Sequence, residues 1–342
     1  TIITYITKKI LNKNVKAYSL SFSNKKFDEA RKASLISKEL GIEHEIINFN
    51  VENNDQIIDE LINILPEPIG DPSIVPTYFL NKFVSKETKA VLSGDGADEL
   101  FAGYDWYRSL MASPYLPKGT ENLFYFYSKF FNQFSDSANI DLNSKFKLFF
   151  SGQNSNKEVK VLHWQNTFKL FDTNYQEEIF NSYIKKLNLS SAKNKYDLTQ
   201  LIDLNTYIYT NILKKSDTAS MLNGLEVRPV YLDDRVLNYS LSKSQKENIS
   251  LLKSKKELRK LVSKFSAFSN QKKQGFSHDF SGWIENVGLP YLESHKNDFQ
   301  LINSYLKSNK NIKKASTIED RNVWKMYSLF KWIEVNKLDV VK

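Results

Sequence analysis

Lys89-Ala90-Val91-Leu92-Ser93-Gly94-Asp95-Gly96-Ala97-Asp98-Glu99 is the stretch from which the fold is read. Residues 89–92 form a short apolar strand, and glycines follow it at once. Glycine is scarce in this chain, 11 of 342 residues, yet Gly94, Gly96 and Gly103 fall within ten positions. Glycine after a strand serves a tight turn or lets backbone approach a phosphate closely. Asp95, Asp98 and Glu99 stand at i, i+3 and i+4, so a helix starting here would bring carboxylates together. Such oxygens suit Mg²⁺, which takes one or two carboxylates and fills its shell with water and nucleotide phosphates. The same residues equally suit a second role, Asp98 and Glu99 complementing the dipole of a helix at its first turn. Local chemistry leaves both open.

Working outward from that loop, residues 15–22 are a second apolar run ending near Ser23-Asn24. A helix is expected next, with an apolar stripe of Ala30, Ala33, Leu35, Ile36 and Leu40, closed by Gly41. Residues 44–49 read as a strand, 55–65 and 76–85 as helices. This β-α-β alternation predicts an α/β protein with a doubly wound parallel sheet, in which ligands bind at the carboxyl ends of the strands.

Beyond about residue 115 the pattern changes to aromatic-rich amphipathic stretches such as 123–134 and 196–213. The chain is therefore divided into a nucleotide-binding α/β part, 1–115, and a large helical part, 116–342. No Pro/Gly/Ser-rich linker separates them, so they are expected to pack as one unit.

Composition narrows the chemistry. A 41% hydrophobic share supplies a core, and no run of 18 apolar residues or secretory leader pattern is present, so a soluble cytoplasmic protein without a membrane partner is expected. The absence of cysteine rules out disulfides, zinc–thiolate sites and thiol nucleophiles within these residues. The four histidines, at 44, 163, 278 and 295, lack metal-ligand spacing. A net charge of +9 raises the question of a nucleic-acid partner, but the lysines are scattered and only six arginines occur, so none is expected.

Leu92-Ser93-Gly94-Asp95-Gly96-Ala97-Asp98-Glu99-Leu100-Phe101-Ala102-Gly103-Tyr104 closely resembles the long signature of the asparagine synthase family. The resemblance implies a sheet of the adenine-nucleotide alpha-hydrolase type. It implies that Ser93 and Gly94, with Gly96 in the same loop, bind ATP, that Asp98 holds Mg²⁺, that Asp95 serves formation of an acyl-adenylate, and that Glu99 faces substrate. Ser19 to Phe22 with Asp28-Glu29 is similar to the family's second strand and adenine turn, which puts Leu20 at a nucleotide contact. Pro66-Glu67-Pro68-Ile69-Gly70-Asp71-Pro72-Ser73 resembles the segment before the third strand seen here, although an ordinary rigid loop has the same composition.

Ser216 to Arg228 followed by Tyr231-Leu232-Asp233 resembles the family's second signature, bringing Glu226 to the cleft as a catalytic residue and Arg228 and Asp233 as substrate contacts. A purely structural network of acids and guanidiniums is the alternative there. Lys255-Lys256-Glu257-Leu258-Arg259 is similar to the family's lysine-bearing helix start, where Lys255 would stabilise departing pyrophosphate. Three of the six arginines, at 228, 235 and 259, lie in or beside these two motifs. Lys272-Lys273-Gln274-Gly275-Phe276 resembles a late family segment and supports the family alone.

The resemblance also has gaps. Family members open this domain with a Ser-Gly-Gly-x-Asp-Ser pyrophosphate loop, and residues 1–9 look like the helix that follows it. The strand before that loop belongs in the middle of the sheet, so its loss would leave edges unpaired. The sequence is accordingly expected to be an N-terminally incomplete piece of a longer chain, or else a degenerate paralogue acting as an interaction protein. The cysteine-dependent glutaminase domain is missing as well. Smaller departures are Thr218 for a basic residue, Ala102 for glycine, and the order Pro229-Val230. The implied activity is formation of asparagine from aspartate and ammonia with ATP, through a β-aspartyl-adenylate, in a protein expected as a homodimer; an amide ligase for another carboxylate is the alternative.

Overall fold

The structure is a computed structural model and describes residues 1–22, 30–50, 55–112, 161–162, 173–250, 253–266, 280–299 and 317–338. Helix α1 (Ile2–Tyr5) continues as a wider helical turn over Ile6–Ile10. Strand β1 (Lys16–Phe22) leads to α2 (Ala30–Leu40), β2 (Glu43–Phe49), α3 (Asp55–Ile64), α4 (Ile74–Val84) and β3 (Ala90–Ser93). The alternation read from the sequence is thus present, with boundaries shifted by one or two residues. The expected helix at 123–134 and the motif at 272–276 lie outside the described residues.

In α2 the buried face runs through Ala30, Ser37 and Leu40, and Gly41 closes the helix in the left-handed conformation at φ 67°. Leu35 falls off that face and is exposed, which corrects its place in the expected stripe. The stripe repeats at three and four residues, and Leu35 sits two positions from Ser37 on the other side of the helix.

β1 and β2 pair in parallel, with Leu20 opposite Ile47 and Lys16 opposite Glu43. β3 pairs in parallel with β4 (Glu226–Pro229), setting Ala90 against Glu226 and Ser93 against Pro229. The described strands therefore form two parallel pairs, and the protein is a helix-rich α/β fold with small parallel sheets. β4 lies in the half expected to be helical. It escaped notice because its four residues alternate charged and small apolar groups, and its proline falls at the end, where a missing N–H is tolerated. The two halves of the chain consequently share a sheet.

The pairs are held side by side by contacts near their amino ends: Tyr18 donates to Glu87 at 2.8 Å, and Lys16 sits 2.6 Å from the same carboxylate, just ahead of β3. Behind them the main core joins Leu20, Ile47 and Phe49 of the strands to α3, α4 and the long α15 introduced below.

The later helices are α5 (Ala97–Leu100), α6 (Asp105–Ala112), α7 (Thr173–Lys185), α8 (Lys195–Asn205), α9 (Lys214–Met221), α10 (Asp234–Leu241), α11 (Gln245–Asn248), α12 (Lys256–Val262), α13 (Ser281–Trp283), α14 (Leu289–Ser294) and α15 (Thr317–Val335). α15 buries Val323, Met326, Tyr327 and Phe330, spaced as one helical face, against the core. Its Trp324 donates from Nε1 to the carbonyl of Ile69 at 2.9 Å, which fixes the proline-rich loop before α4. No helix among the described residues is long and apolar enough to cross a membrane.

Candidate active site

β3 ends at Ser93, and the loop beyond it turns into the one-turn helix α5. Each of its three glycines meets a different surrounding. Gly96 has φ 91°, and a β-carbon there would come within 2.5 Å of Leu232, so both backbone and packing demand glycine. At Gly103 a β-carbon would lie 1.7 Å from Asp98 Oδ1 and 2.4 Å from Lys255 Cε. Gly94 has an ordinary φ and nothing within 4 Å of where its β-carbon would be. Neither conformation nor packing requires glycine at that position.

Asp95 is held by hydroxyls. Its Oδ2 accepts from Ser93 at 2.9 Å and from Ser216 of α9 at 3.2 Å. Asp98, in the first turn of α5, places Oδ1 2.8 Å from Lys255 Nζ, and both side chains are about three-quarters covered, at 24% and 22% exposure. Lys255 reaches it from the residue capping α12, in the left-handed conformation at φ 52°. Tyr231 is nearby: burial, and then the charge of Asp98, push its hydroxyl up to about 12.

The loop is clamped from behind. The carbonyl of Leu100 accepts from Gln200 of α8 at 2.6 Å and from the Ser240 hydroxyl of α10. Glu99 is buried at 1% exposure, accepts from the Tyr104 hydroxyl, and its own carbonyl takes the Tyr107 hydroxyl at 3.1 Å. Burial and the adjoining Glu99 carboxylate push the Tyr104 phenol well up. Glu99, expected at a substrate contact, is thus buried and held by the Tyr104 hydroxyl.

The remaining expected residues divide. Leu20 is buried in the main core with its side chain among apolar neighbours. Glu226 and Arg228, on one face of β4, pair with each other at 2.9 Å and are more than half exposed, at 58% and 62%. The buried acid–guanidinium network weighed for this motif is therefore an exposed pair, because β4 is short and its charged face points outward. Asp233 caps α10, its Oδ1 accepting the Arg235 amide at 3.0 Å and its carboxylate pairing with the Arg235 guanidinium. Ser93, Gly94, Gly96, Asp95, Asp98 and Lys255 come together around the loop.

Among the described residues no three His, Cys, Asp or Glu side chains converge as a metal cage. A single half-buried carboxylate such as Asp98 still fits Mg²⁺, which keeps water and nucleotide oxygens as its other ligands. Ser216 and Tyr231 were quoted within the second signature but given no role. A hydroxyl's partner depends on the packing of α9 against α4 and β4, which no local pattern announces.

Taken together, the molecule is an α/β protein with a glycine- and carboxylate-bearing loop at the carboxyl end of a parallel strand, the position at which such folds bind ligands. Residues 1–327 match the asparagine synthase family, and the chain belongs to it. It is 25% identical over 293 residues to asparagine synthetase [glutamine-hydrolyzing] 1 of Bacillus subtilis, covering 80% of this chain and 44% of that protein. It is 27% identical over 231 residues to a putative asparagine synthetase [glutamine-hydrolyzing] of Mycobacterium bovis, covering 66% and 35%. The chain spans less than half the length of these curated relatives.

Proposed function

We propose that this chain is the synthetase part of an ATP-dependent amide ligase that forms asparagine from aspartate and ammonia, releasing AMP and pyrophosphate. The observation that supports this most directly is Gly94: a glycine that neither φ nor packing requires, with open space where its β-carbon would be. Such a position suits backbone brought close to a nucleotide. The names of the relatives, glutamine-hydrolysing asparagine synthetases, support the amide product and glutamine as the source of ammonia.

In this mechanism the β-carboxylate of aspartate attacks the α-phosphorus of ATP, and the bond to pyrophosphate breaks. Ammonia then attacks the acyl carbon and AMP leaves. Ser93 and Gly94 would cradle the nucleotide, Asp95 would orient the groups around the adenylate, and Lys255 would offset charge on the departing pyrophosphate. Asp98 would hold Mg²⁺, which when bound neutralises phosphate charge. Glu226 would act in catalysis, and Arg228 and Asp233 would contact substrate. Gly96 and Leu20 would also contact the nucleotide, and Glu99 the substrate.

The test uses the full-length protein with ATP, Mg²⁺ and ammonium. Aspartate-dependent release of pyrophosphate, with asparagine formed in equal amount, is expected. Release with a different carboxylate and none with aspartate would sink the asparagine assignment while sparing the chemistry.

A further inference from the structure

We propose that Lys215 and Asp71 are positioning residues for the Asp95 carboxylate, acting through Ser216. The proposal rests on the role given above to Asp95. Lys215 Nζ lies 3.1 Å from Asp71 Oδ2 and donates to the Ser73 hydroxyl at 2.8 Å. Ser73 in turn donates to Asp71 Oδ1 from its hydroxyl at 2.8 Å and from its amide at 3.0 Å. These bonds close a ring between the proline-rich loop and α9, with the lysine only 13% exposed. Burial pushes the Asp71 carboxyl up, and Lys215 with the two Ser73 donors more than reverses this, so it stays charged.

An ion pair so far removed from water gains little stability over a well-packed apolar pair, because desolvation offsets the attraction. What it supplies is direction. Lys215 and Ser216 are adjacent on α9, roughly 100° apart around the helix axis, so anchoring one fixes the azimuth of the other. Ser216 is the residue whose hydroxyl donates to Asp95 Oδ2. A small rotation of α9 would carry that hydroxyl out of reach. The loop receiving Lys215 is itself fixed, since Ile69 accepts from both Trp324 and Ser328 of α15. Glu67 adds an outer tie to Lys214 at 2.7 Å.

The experiment uses the full-length protein and the variants Ser216→Ala, Ser216→Thr, Lys215→Met and the double variant Lys215→Met/Ser216→Ala, with Asp71→Asn replacing Lys215→Met if the latter does not fold. Ser216→Ala is expected to lower kcat for pyrophosphate release about tenfold, the loss of one hydrogen bond to a charged group, with KM for ATP within about twofold. Ser216→Thr restores most of the rate. Lys215→Met matches Ser216→Ala, and the double variant is no slower than Lys215→Met alone. Multiplying losses in the double variant, or a wild-type rate in Ser216→Ala, would overturn the proposal. A crystal structure of the Lys215 variant decides it without any activity: the Ser216–Asp95 hydrogen bond is expected to be broken, and its survival overturns the proposal. Wild-type protein inactive with every carboxylate tried counts against the ligase assignment alone, and the crystal structure then settles the positional claim.

Discussion

Lys255 Nζ sits 2.8 Å from Asp98 Oδ1, and the α-carbon of Gly103 forms the floor beneath them. The lysine holds this place from a left-handed backbone conformation, φ 52° and ψ 42°, which costs a non-glycine residue on the order of 1 kcal/mol. Lys255→Met is therefore expected to destabilise the protein by about 1–2 kcal/mol, since a largely covered carboxylate loses its partner while the strained backbone remains. Adding Asp98→Asn should recover part of that loss. Urea unfolding of the single and double variants measures it; additive losses would show that the two groups do not stabilise one another.

Gly94 and Gly103 should respond in opposite ways to one methyl group. Gly103→Ala forces its β-carbon onto Asp98 and Lys255, so stability is expected to fall by about 1–3 kcal/mol. Gly94→Ala meets nothing. Its melting temperature should stay within about 2 °C of the parent, under 1 kcal/mol by the usual scaling, while ATP affinity falls at least tenfold by calorimetry. Unchanged ATP binding in Gly94→Ala would remove the main support for nucleotide at this loop.

His44 of β2 lies between two hydroxyls, 3.2 Å from Ser34 through Nδ1 and 2.9 Å from Ser19 through Nε2. Burial lowers its pKa below the ordinary 6.5. The unfolded chain then binds the proton more readily than the folded one, so the stabilising contribution is complete above pH 6.5 and is lost as pH falls toward the lowered value. His44→Gln should flatten the fall in unfolding free energy between about pH 6.5 and pH 5, near the ordinary histidine range. An equally steep fall in the variant would assign the dependence to other groups.

Ala102 takes the place where family members carry glycine, and its φ is 54°. Its methyl is fully buried against Tyr107, Tyr196 and Ile249. Left-handed strain of roughly 1–2 kcal/mol is thus set against a buried methyl and the lower unfolded-state entropy of alanine, each near 0.5–1 kcal/mol. Ala102→Gly should leave unfolding free energy within about 1 kcal/mol of the parent. A larger change, measured in urea, would mean that one side of this balance is misjudged.

The sequence was most legible where one chemical constraint governs one short stretch. The β1-α2-β2 rhythm follows from apolar periodicity, and the loop at 93–99 from clustered glycines and acids in a glycine-poor chain. Gly103 was noticed for its proximity to the others, yet its role as a floor for Asp98 depends on Lys255 arriving from far along the chain. The Tyr104 partner of Glu99 was not legible, because an acid at a helix start looks the same whether it meets solvent or a tyrosine hydroxyl. The resemblance brought Arg228 and Glu226 to the cleft, but their pairing with each other on the exposed face of β4 was not legible, because the strand itself was not. Ser216 opens the second signature but carried no sign of its partner, which depends on the azimuth of α9.

β3 finds its hydrogen-bonded partner in β4, so residues 90–93 wait for residues 226–229. Pairing across such a separation is a slow step in folding, since a long loop must close before any contact rewards it. The loop at 93–99 is translated well before Leu232, which packs on Gly96, and Lys255, which pairs with Asp98. A chain ending before residue 255 would carry the loop at 93–99 without the lysine that pairs with Asp98.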